Sequence, residues 1–101
     1  MSESAEQIVI FEWADWNMGR WPELDYMFHV PNGGHRYKAT AVRMKREGTK
    51  AGVPDILLPV RRAEYVGLAI ELKAGRNKAT DKQLRWIEHL DNQGWFASVI
   101  H

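Results

Sequence analysis

The chain reads as a single α/β domain over residues 1–101, a small mixed β-sheet flanked by helices. Two observations lead there. The apolar segments and breakers run helix, short strand, helix, strand, strand, helix, strand, and parallel strands need an intervening helix of this kind. With 101 residues and 45% hydrophobic side chains, the chain can bury one modest core.

Each element follows from local chemistry. Ser4-Ala5-Glu6-Gln7 fits a capping box, with Ser4 as N-cap. The helix then runs from Glu6 to Met18 and is apolar on much of its surface, so it is expected to pack on more than one side. Gly19 and Pro22 end it. Asp25 to Val30 is aromatic and extended, and Pro31-Asn32-Gly33-Gly34 is a turn. Ala39 to Glu47 is a short basic helix closed by Gly48. Asp55 to Val60 and Val66 to Leu72 are apolar runs of strand length. Thr80-Asp81-Lys82-Gln83 is a second capping box, opening a helix to Asn92 with Leu84, Ile87 and Leu90 as its inner stripe. Gly94 stands where a C-terminal glycine belongs, and Trp95 to Ile100 is the last strand.

The net charge of +1 conceals a split. Residues 1 to 35 hold one basic and six acidic side chains, residues 36 to 62 eight basic and two acidic, and residues 63 to 101 five of each. Such asymmetry points to a surface that faces a polyanion. No apolar run approaches the ~18 residues of a membrane span. With no cysteine and no basic-then-apolar leader, the expected location is the cytoplasm. The four histidines lack zinc-ligand spacing, and no phosphate loop or nucleophilic triad is present.

The chemistry-bearing pattern is Gly52-Val53-Pro54-Asp55 followed by Glu71-Leu72-Lys73. Alternate residues of a strand share a face, so Glu71 and Lys73 project together. If the two strands pair antiparallel about Ala63, paired residue numbers add to 126, and Asp55 faces Glu71. Opposed carboxylates about 5 Å apart repel unless a cation lies between them. A hard divalent ion with oxygen ligands is the natural occupant, and Lys73 then stands beside it to orient water or neutralise a phosphate. A solvated Glu-x-Lys pair and a turn-forming Pro-Asp are the plainer readings of each piece alone.

These residues resemble the VRR-Nuc (virus-type replication-repair nuclease) family of the PD-(D/E)xK superfamily, in its small stand-alone phage and bacterial form. The matching elements are Pro31-Asn32-Gly33-Gly34-x-Arg36, Gly52-Val53-Pro54-Asp55, Ile70-Glu71-Leu72-Lys73 and Gln83-x-x-Trp86, with an acidic residue in the first helix, Glu6, ahead of Phe11-Glu12-Trp13-Ala14. The resemblance implies a restriction-endonuclease-like core. It implies that Asp55, Glu71 and the Leu72 carbonyl ligate Mg²⁺ or Mn²⁺, that Glu6 completes the acidic cluster, that Lys73 is the catalytic lysine, and that Gln83 points to the site. Asn32 and Arg36 would lie near the scissile phosphate. The implied reaction is metal-assisted hydrolysis of DNA, with a homodimer acting on branched, Holliday-junction-like DNA. In the family a helix usually follows the last strand, whereas this chain stops at His101, which implies a short member or a truncation.

Several of these residues have structural alternatives. Glu6 also serves the helix dipole, with Glu12 competing for its role, and Gln83 also completes a capping box. Lys38, Arg43, Lys45, Arg46 and Lys50, with Arg36, are read as phosphate contacts because their segment immediately precedes the candidate site. Trp13 and Trp16 are candidates for a dimer contact. The competing function is a non-catalytic DNA-binding module retaining the nuclease fold; intact Asp55, Glu71 and Lys73 favour an enzyme.

Overall fold

The computed structural model describes residues 2–31 and 38–101. Helix α1 spans Glu3–Asn17, and its N-cap is Ser2, whose hydroxyl accepts from the Ala5 amide at 3.1 Å. The Ser4/Gln7 cap is therefore corrected. Either serine could cap, and the earlier start is selected by distant contacts: it brings Glu3 within 3.3 Å of the Ala74 amide and of the Asn77 side chain. Nor is α1 enclosed on several sides. It buries only Ala14 among the described residues. Ile8, Val9 and Trp13 are half exposed, and Trp16 is 89% exposed.

A short 3-10 helix, Pro22–Tyr26, follows, with proline in its first turn, where its missing N–H is harmless. The strand expected over Asp25 to Val30 shrinks accordingly to β1, Phe28–His29. Helix α2 covers Lys38–Arg46. The remaining elements are β2 (Ile56–Leu58), β3 (Leu68–Leu72), α3 (Asp81–Asn92) and β4 (Phe96–Ile100).

The sheet is mixed, in the order β1-β2-β3-β4. β1 and β3 flank β2 antiparallel, and β4 lies parallel to β3 across the α3 connection. Helices α1 and α3 both pack on β3. The core centres on Ile56 and Ala69, both 0% exposed, with Leu72 and Ala14 beside them. Gly67 is required there, since a Cβ would stand 2.5 Å from the Trp95 ring.

The β2/β3 register is Ile56↔Ile70, Leu57↔Ala69 and Leu58↔Leu68, so paired numbers add to 126 as the sequence implied. The turn itself is offset. Arg62 and Tyr65 exchange both backbone bonds at 3.0 Å around Ala63, whose φ is +53°. One extra residue therefore sits on the first strand between Leu58 and Arg62. Pro59, which lacks an N–H, lies there, and the Val60 amide turns back to the Leu58 carbonyl at 2.9 Å. This bulge absorbs the offset.

In α3 the Thr80 cap and the Gln83 return bond are both made. The inner stripe differs from the expected one: Leu84 is 48% exposed, and Trp86, Ile87 and Leu90 are half-buried. Gln83 is turned towards β3 by its bond to Glu71, and the next residue along a helix is rotated away from that face.

Candidate active site

The end of the β2/β3 hairpin remote from its turn opens into a cavity of about 300 Å³. Asp55, Glu71, Lys73 and Gln83 line it. Carrying the observed register one step past Ile56↔Ile70 sets Asp55 opposite Glu71. The Asp55 carboxylate accepts from the Leu72 amide at 2.9 Å, which ties it to the end of β3. Its carbonyl accepts from the Val30 amide at 2.8 Å and from the His29 ring at 2.9 Å.

Glu71 is 2% exposed. One carboxylate oxygen, Oε2, lies 3.9 Å from the Lys73 ammonium and accepts from the Gln83 side chain at 3.4 Å. The other, Oε1, is buried without a hydrogen-bond partner. Burial, then the adjacent Asp55 carboxyl through hydrogen bonding and charge, pushes the Glu71 carboxyl up to about 8; Lys73 opposes this and Glu3 adds to it. Lys73 is itself 9% exposed, and its backbone is held by the Ile100 carbonyl at 2.9 Å.

The acid that α1 brings to the cavity is Glu3, not Glu6. Glu6 lies one turn further along, half-buried. The signal for Glu3 was present in Ser2, an equally good cap two residues earlier. His29, Pro31 and Gly52 also line the cavity; the bond from the His29 ring to the Asp55 carbonyl at 2.9 Å holds His29 there. Gln83 performs both of its candidate roles, with its carbonyl capping α3 at Thr80 and its amide on Glu71.

Leu72 is buried behind Asp55. Lys38, Arg43, Lys45 and Arg46 are exposed on α2, and Lys50 is exposed in the loop after it. Arg43 pairs with Glu47 at 3.7 Å. Asn32 and Arg36 lie outside the described residues.

The donor set suits a hard cation. Two carboxylates face each other, one with an unpartnered buried oxygen, in a cavity with room for several waters. Among the described residues no cluster of three or more His, Cys, Asp or Glu side chains forms a metal cage. Mg²⁺ commonly takes only one or two carboxylates and completes its shell with water and phosphate oxygens, so the residues present fit.

The model of the VRR-NUC domain matches residues 1–101. The chain belongs to the VRR-NUC family. A solved structure described as a VRR_NUC domain protein is similar at a TM-score of 0.77 and 34% identity, over 98% of this chain and 76% of that one. No curated protein matches. Membership makes this a nuclease-family domain with the expected mixed α/β core. Among the described residues, no helix is long and apolar enough to cross a membrane.

Proposed function

We propose that this VRR-NUC domain is a metal-dependent DNA endonuclease that hydrolyses phosphodiester bonds, selective for branched, Holliday-junction-like DNA and working as a homodimer in the cytoplasm of a bacterial or phage-infected cell. The observation behind the metal-dependent reaction is Glu71, an almost fully buried carboxyl with one unpartnered oxygen, set against Asp55 and raised to about 8. A buried acid held in that way is costly to ionise without a counter-charge.

Asp55 and Glu71, with the Leu72 carbonyl, would hold Mg²⁺ or Mn²⁺, and Glu3 takes the place expected for Glu6 in the acidic cluster. When bound, the ion supplies Lewis acidity at a phosphate oxygen and a more acidic water. Lys73 holds a positive charge where the phosphate gains negative charge. Gln83 fixes the Glu71 carboxylate. The basic residues of α2 and Lys50, with Asn32 and Arg36, bind the phosphate backbone. Supporting self-association, α1 displays Val9, Trp13 and Trp16 at helical spacing, all at least half exposed.

The test is cleavage of duplex, flap, four-way junction and single-stranded DNA with Mg²⁺ or Mn²⁺, beside Glu71→Ala. Cleavage strongest on the junction and absent in the variant is expected. DNA binding without cleavage on any substrate and with either ion would instead make the domain a non-catalytic binder.

A further inference from the structure

A second group of cations lies on the α3 side of the cavity. Arg76 and Lys78 stand in the loop after β3, and Lys82 and Arg85 on the first turns of α3. All four are exposed, and none takes part in an ion pair among the described residues. Asp81 is the acidic side chain between Arg76 and Arg85, and it is already favourably placed at the positive end of the α3 dipole.

Two contacts fix this group beside the cavity. The loop is clamped through Asn77, between Arg76 and Lys78: its side chain donates to Glu3 at 3.3 Å, and its carbonyl meets the His101 ring at 3.1 Å. Glu3 itself lines the cavity. The start of α3 is seated on Gly52, where a Cβ would stand only 2.9 Å from the Lys82 backbone. Gly52 follows Lys50 by two residues and also lines the cavity. The 76–85 segment and the end of the 36–50 segment therefore meet at the cavity rim.

A strand with one phosphate in the cavity extends its neighbouring phosphates past the rim in both directions. The cations of the 76–85 segment continue the rim from the Gly52–Lys82 contact, where the basic segment ending at Lys50 leaves off. We propose that Arg76, Lys78, Lys82 and Arg85 hold the DNA backbone on the α3 side, carrying on along the cavity rim the basic track that ends at Lys50. The inference rests on the nuclease reading and adds a second half to its DNA track.

The test is binding of a labelled four-way DNA junction in EDTA across a salt series. Each cation that displaces condensed counterions adds about 0.9 to the slope of log affinity against log salt. Arg76→Gln/Lys78→Gln and Lys82→Gln/Arg85→Gln are each expected to lower that slope by about 1–2. Arg61→Gln/Arg62→Gln removes the same charge at the far end of the hairpin and is expected to leave it unchanged. Unaltered slopes in both α3-side variants, or an equal fall in the far-end variant, would overturn the inference and leave the nuclease reading standing. Failure of the unaltered chain to bind the junction would overturn both.

Discussion

Glu71→Gln separates the cost of the acidic site from its use. The Glu71 carboxyl is raised from 4.5 to about 8. Between those values the folded, metal-free protein keeps a proton on Glu71 that the unfolded chain has lost, so stability falls as pH rises through the window. At about 1.4 kcal/mol per unit, the loss reaches roughly 5 kcal/mol above pH 8 and roughly 3 at pH 7. Glutamine keeps the shape and the contacts of Oε2 without ever ionising. In EDTA, Glu71→Gln should match the parent at pH 4.5 and exceed it by several kcal/mol at pH 8. Urea unfolding followed by tryptophan fluorescence measures this, because the chain has five tryptophans. Adding Mg²⁺ at pH 8 should stabilise the parent and leave the variant unmoved. A parent at least as stable as the variant at pH 8 in EDTA would refute the claim that Glu71 is a strained acid awaiting a cation.

Lys73→Ala should reduce cleavage by about 10³-fold or more with DNA affinity nearly retained; equal loss of both in a gel-shift and cleavage comparison would make Lys73 a binding residue. Glu3→Gln should slow cleavage at least ten-fold and Glu6→Gln less than two-fold, measured at saturating Mg²⁺; the reverse order would return the acidic role to Glu6. Thr80→Ala should cost about 1 kcal/mol in urea unfolding through loss of the α3 cap, and an unchanged midpoint would deny the cap its role. Gly67→Ala forces a Cβ to within 2.5 Å of the Trp95 ring and should lower Tm by many degrees; a Tm within a degree of the parent would show that Trp95 can yield.

The hairpin register was legible because an antiparallel pairing about Ala63 fixes which residues face each other along both strands. The Asp55/Glu71 opposition falls out of that register, while Ile56 and Ala69 are buried on opposite faces of the hairpin. The α3 start was legible because Thr80 and Gln83 satisfy each other within a single turn. Glu3 was not, since Ser2 and Ser4 are both adequate caps and the decision between them is made by contacts with Ala74 and Asn77, far along the chain. The bulge at Pro59 was hidden for a related reason: a turn centre can shift by half a residue while the ladder keeps its register. The outward stripe of α1 shows the limit of composition. Ile8, Val9 and Trp16 are apolar yet exposed, and apolarity alone does not name the surface that will cover it.

The bonds from Glu3 to Ala74 and Asn77 span 71 and 74 residues. Closing a loop of that length costs about 4 kcal/mol in chain entropy before any contact repays it. The β2/β3 hairpin and the capped α3 are local and can form earlier. The cavity lining thus assembles in an order: Asp55, Glu71, Lys73 and Gln83 can gather within residues 55–83, and Glu3 joins only when α1 has met the segment after β3. Completion of that lining becomes a reporter of native topology, so that a partly folded chain has the cavity without Glu3.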